Sequence, residues 1–166
     1  MTKEEMKEKA VQLMMQKRFH CSQAVLSVGQ EKLGKKDDEV MKAMGAFGGG
    51  LGGNGEVCGA IAGALAVMGL RFSRATEDER EDPKMWSYTH EVLERFQKEI
   101  AKNHGSILCR DIAHVNWKDR EQVRNFYNGE TVQECGRIVG DMAALVGELL
   151  EREMKPKAVM LPIVDE

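Results

Sequence analysis

Apolar residues along this chain recur at helical spacing in segment after segment, and no stretch sustains the period-two alternation of a half-buried strand. Thr2 with Glu5 three residues on forms a capping box, and Met6, Ala10, Leu13 and Met14 then give a first amphipathic helix. A second helix is predicted from about Cys21, stopped by Gly34, and a third starts at an Asp37 or Asp38 cap and turns Val40, Met41 and Met44 inward. A glycine-rich stretch follows, and from near Glu56 an almost unbroken apolar run to Leu70 predicts a buried helix. Asp82-Pro83 opens the next one, whose stripe is Trp86, Val92, Leu93, Phe96 and Ile100 and which ends at Gly105. Ser106 to Trp117 reads as a short helix or turn, and Asn128-Gly129 as a turn. The last helix begins near Thr131, with Cys135, Ile138, Val139, Met142, Val146, Leu149 and Leu150 on one face.

The expected fold is therefore all-α, a single-domain helical bundle of about five to six helices with a Gly-rich loop before a buried helix. Residues 1–154 form the helical domain, and 155–166, with two prolines, a C-terminal tail that docks as an extended arm or frays.

Composition narrows the function. A net charge of −3 over 166 residues leaves no basic stripe for phosphates, which argues against a nucleic-acid partner. The opening residues are charged and amphipathic rather than a signal peptide. The Val57–Leu70 run is shorter than the roughly 20 residues that cross a bilayer, so a cytoplasmic protein without membrane insertion is expected. The Met-rich faces leave room for a homodimer.

The candidate chemistry lies in four cysteines, Cys21, Cys58, Cys109 and Cys135, which lie far apart with no CxxC. In a reducing compartment such cysteines point to metal binding, redox chemistry or plain burial. All four fall at or near the start of a predicted helix, where unsatisfied N–H groups and the helix dipole favour thiolate over thiol. The stretch "GGGLGG" before Cys58 formally matches GxGxxG, but a helix precedes it and no acidic residue follows at the required distance. It is not a P-loop either, since "GNGEV" stands where GK[ST] is needed. What remains is a run of exposed N–H groups ahead of Cys58 able to donate to sulfides or an anion, with Gly53, Gly55 and Gly59 as candidate cofactor-binding positions. The small residues Gly59, Ala60, Ala62, Gly63, Ala64 and Ala66 also predict close helix packing. His20 adjoins Cys21 and His104 and His114 flank Cys109, within reach of a shared site, whereas His90 reads as surface. The acidic runs at Asp37–Glu39 and Glu77–Asp82 read as caps and solvated surface.

In order, "HCSQAVL", "GGGLGGNGEVCGAIAGAL", "LCRDI" and "ECGRIVGDMA" resemble the C-GCAxxG-C-C family, most specifically at "GEVCGAIAGAL". The resemblance implies a small, cytoplasmic, redox-active protein whose family cysteines are Cys21, Cys58, Cys109 and Cys135. Some members are said to carry selenocysteine, which implies a reactive rather than structural chalcogen. A similar domain accompanies an iron–sulfur centre in split-Soret cytochromes, but this chain has no CxxCH haem-attachment motif. The leading expectation is that the four cysteines converge on an iron–sulfur or other thiolate-bound metal centre that exchanges electrons with a redox partner protein. A metal-free thiol–disulfide protein with Cys58 attacking and Cys21 as a partner, a structural zinc site, and an interaction module with four buried thiols are the alternatives.

Overall fold

The computed structural model describes residues 1–154; the tail expected over 155–166 lies outside the described residues. The helices are α1 (Lys3–Met15), α2 (Cys21–Lys32), α3 (Asp38–Gly45), the glycine turn α4 (Gly48–Leu51), α5 (Gly59–Phe72), α6 (Lys84–Arg95), α7 (Cys109–Ala113), α8 (Arg120–Asn128) and α9 (Thr131–Met154). Among the described residues there is no strand, and the one extended pairing is an antiparallel bridge between Val57 and Leu108. The all-α class is as expected, with more helical segments than the five to six anticipated. No described helix is long and apolar enough to cross a membrane.

Local chemistry accounts for the starts. Thr2 Oγ1 accepts from Glu5 N at 3.2 Å while the Glu5 carboxylate accepts from Thr2 N at 2.7 Å, closing the capping box of α1. Asp37 accepts from Glu39 N and Val40 N at α3, and Asp119 from Glu121 N and Gln122 N at α8.

The bundle closes through glycines on facing helices. On α9, a β-carbon at Gly140 would lie 2.8 Å from Val11 Cγ2, and one at Gly147 would lie 2.8 Å from Met6 Sδ, so α1 rides directly on the α9 backbone. Between α2 and α5 the approach is closer still: a β-carbon on Gly63 would lie 2.4 Å from the Ser22 carbonyl oxygen. The small-residue face of α5 is a packing face, as its sequence suggests. Met6, Leu26, Ile61, Met68, Phe96 and Met142 fill the space between these helices with almost no exposure. Ionic clamps cover the rim: Arg95 Nη1 donates to Glu148 at 2.7 Å, joining α6 to α9, and Lys32 Nζ to Glu151 at 2.9 Å, joining α2 to α9.

Three expectations are corrected. The buried helix starts at Gly59 rather than near Glu56, because Glu56 and Val57 are engaged in backbone pairing with the segment before α7. The helix expected to run from Pro83 to Gly105 leaves α geometry after Arg95 and finishes in a π turn, Phe96–Ile100. Helix α8 was hidden by its polarity: only Val123, Phe126 and Tyr127 are apolar or aromatic in it, too few for a stripe.

Candidate functional site

Four separate elements deliver the cysteines. Cys21 is the first residue of α2, Cys58 the N-cap of α5, Cys109 the first residue of α7, and Cys135 closes the first turn of α9. All four are free thiols, and all four line a single cavity of about 420 Å³. Cys58 and Cys109, at 8 % and 7 % exposure, are buried, and Cys21 and Cys135 are half-buried.

The glycine loop explains how residues 58 and 109 become neighbours. Gly49, Gly50, Leu51, Gly52, Gly53 and Gly55 all have positive φ, winding the backbone into a left-handed coil. Gly55 N and Glu56 N donate back to the Gly49 and Gly50 carbonyls, each at 3.0 Å, which fixes the coil. The chain leaves it as a short extended piece, where Cys109 N donates to Glu56 O at 2.7 Å and Cys58 N to Ile107 O at 2.9 Å. Those two bonds flank the Val57–Leu108 bridge and set Cys58 and Cys109 side by side. At Gly50 a β-carbon would lie 2.6 Å from Cys109 Cβ, so this position admits only glycine.

Cys21 reaches the same space because α2 crosses the start of α5: a β-carbon on Gly59 would lie 2.5 Å from Cys21 Sγ. Of the expected cofactor-binding glycines, Gly53 lines the cavity, Gly59 lies beneath Cys21 rather than on the cavity wall, and Gly55 faces Arg110 in an adjoining cavity of about 370 Å³. His20 lines the main cavity, its ring packed on Gly48. His104 is drawn away to Glu134, with Nε2 3.0 Å from Oε1, and His114 lines the adjoining cavity. His90 is exposed on α6, as expected.

The sulfurs receive N–H donors. Trp117 Nε1 lies 3.3 Å from Cys109 Sγ and donates to it, while the nearby backbone N–H groups of Ser22 and Gly49 favour the Cys21 thiolate and that of Ala60 the Cys58 thiolate. Trp117 also covers Gly49 and packs edge-on against Phe126, with ring centroids 5.0 Å apart, so it seals one side of the site. Trp117 is a site residue not anticipated from the sequence, where its one signal is an indole eight residues past a candidate cysteine.

The expectation that helix starts would favour thiolate is overturned for thiols without a counter-cation. Burial is the largest effect on each and raises all four. Burial and then the nearby Cys109 raise Cys21 to about 11, and burial with Cys21 and Cys109 raises Cys135 to about 12. Cys58 is pushed well above its ordinary value by burial and by Cys21. The N–H donors oppose this shift and are outweighed. The metal-free protein is therefore predicted to react slowly with iodoacetamide at neutral pH. A rise from 9.0 to about 11 makes the Cys21 thiolate about a hundredfold scarcer than in an ordinary cysteine. Alkylation should accelerate only as pH climbs through 9 toward 11; rapid labelling at pH 7, followed by mass spectrometry, would contradict it.

The four cysteines line one cavity, and among the described residues no group of three or more His, Cys, Asp or Glu is placed to hold a metal ion. A bound cation would also remove the repulsion and desolvation that keep the thiols protonated.

Fold and site together define a helical protein with a four-cysteine cavity behind a left-handed glycine coil. Residues 19–149 match the model of the family described as "Putative redox-active protein (C_GCAxxG_C_C)", and the chain belongs to that family. Neither a curated protein nor a solved structure matches the chain.

Proposed function

We propose that Cys21, Cys58, Cys109 and Cys135 together hold an iron–sulfur centre through which the protein exchanges single electrons with a redox partner protein. The observation that carries this reading is the lining of one cavity by all four sulfurs, each from a different helix start or first turn. When bound, such a centre supplies a reversible one-electron couple. The chain's own groups act around it. Trp117 Nε1 points at Cys109 Sγ, and with the nearby backbone N–H groups of Gly49 and Ala60 it stabilises negative charge on sulfur, which raises the potential. Trp117 and Phe126 keep water from the Cys109 side.

The metal-free alternative needs an attacking thiolate at neutral pH, and the burial of Cys58 and Cys21 works against one. A zinc site needs four ligands around one point, and no group of three or more His, Cys, Asp or Glu among the described residues is placed that way. The test is an absorption spectrum of anaerobically purified protein with iron, zinc and acid-labile sulfide assayed on the same sample. Visible charge-transfer bands with iron and sulfide are expected. A colourless protein that stays so after iron and sulfide reconstitution would overturn the proposal.

A further inference from the structure

We propose that the cysteine cavity also receives a small organic anion with an apolar body, such as an aryl or alkyl carboxylate, and that Arg18 is its anchor. The volume of about 420 Å³ is in the range that encloses a small organic molecule. Away from the sulfurs its wall is mostly apolar, with Met14, Met15, Phe126, Val132 and Ile138 among the lining side chains and His20 and Gln133 as polar ones. The one lining side chain with a fixed charge is Arg18, and no carboxylate lines the cavity.

Arg18 differs from the arginines that brace the helices. Arg95, Arg137 and Arg152 each hold a glutamate. Among the described residues Arg18 faces the Tyr127 ring, its Cζ 5.6 Å from the centroid, and no carboxylate. A guanidinium laid on a ring is oriented by it and keeps its N–H groups free for a planar anion. The backbone at Arg18 is also left-handed, with φ of 61°, a conformation that an L side chain adopts at a cost and that glycine adopts freely. An exposed turn after α1 needs no arginine for folding; the side chain it carries projects a positive charge onto the mouth of an otherwise uncharged cavity.

The inference holds whichever redox group the thiols form, so its failure is distinct from failure of the iron–sulfur reading, which iron and sulfide assays decide. Calorimetric titration of the full chain with phenylacetate and with neutral phenylacetamide tests it. Phenylacetate should bind about tenfold more tightly than the amide, the contribution of one charge-assisted contact, and the difference should shrink as salt is raised. Arg18→Gln should abolish the preference, and Arg18→Lys should keep part of it. Arg18→Gly relieves the turn and so provides a folded variant lacking the cation; it should lose the preference as well. Equal binding of acid and amide to the wild type, a preference that survives Arg18→Gln, or no binding of either compound at millimolar concentration would overturn the proposal. So would an Arg18→Gln variant altered only in its redox potential, since Arg18 would then serve the sulfur centre alone.

Discussion

Replacing Gly63 with alanine destabilises the protein, while the same replacement at Gly69, six residues along α5, stabilises it. The chemical change is identical and both positions are helical, so intrinsic propensity favours alanine at each by about 0.5–1 kcal/mol. At Gly69 nothing lies within 4 Å of the added carbon, and that gain should appear in full as a rise in Tm of about 1–3 °C. At Gly63 the carbon would stand 2.4 Å from the Ser22 carbonyl oxygen and 3.1 Å from Val25 Cβ. Backbone cannot rotate aside as a side chain can, so α2 and α5 must separate. Overpacking of this kind costs about 1–3 kcal/mol, and contact with backbone puts Gly63→Ala at the upper end, a fall in Tm of about 5–10 °C. The separation also moves Cys21 away from the head of α5, so loading of the site should fall with stability. Thermal denaturation of both variants checks the pair. Shifts of the same sign would contradict the packing described for α2 and α5.

Cys58→Ser should empty the site and leave the fold intact. Cys58 is the N-cap of α5 and makes no side-chain capping bond there, and serine is among the preferred residues at that position. A serine hydroxyl is a good helix cap and removes no capping bond, so helical content should match the wild type and stability should stay within about 1 kcal/mol of it. The soft ligand is lost, however, and an alcohol at this position does not ionise to replace it. Iron and sulfide should fall to background, and the visible spectrum should vanish. A folded Cys58→Ser protein that loads metal normally would show that the four thiols do not form one centre.

The sequence makes the helices legible where polarity alternates with a face. The capping box at Thr2 and the cap at Asp37 are recognisable from residue type alone, and the α9 stripe from Ile138 to Leu150 is buried as its periodicity predicts. Helix α8 was not legible because most of its surface meets water. The π turn after Arg95 was not legible either, because the apolar spacing from Val92 through Phe96 to Ile100 is compatible with a continuous helix.

At the site, the four cysteines and the glycine stretch stood out, but the reason they meet did not. The Val57–Leu108 bridge joins segments about fifty residues apart with a few backbone hydrogen bonds, and backbone pairing of that length leaves no pattern in side chains. Gly59 stands beside Cys58 in the sequence, but what it provides is space for Cys21. Burial, not helix-start position, governs the protonation of the thiols, and depth of burial around one cavity is not visible in a sequence.

An equilibrium redox titration of the anaerobic protein, followed both by its visible spectrum and by labelling of free thiols, tests most directly whether the four thiols hold a one-electron centre. The account predicts a single wave with the one-electron slope of about 59 mV per decade, absent from Cys58→Ser. A wave of about 30 mV per decade is the signature of a two-electron dithiol–disulfide couple and would contradict it. A protein with no couple at any accessible potential would contradict it equally.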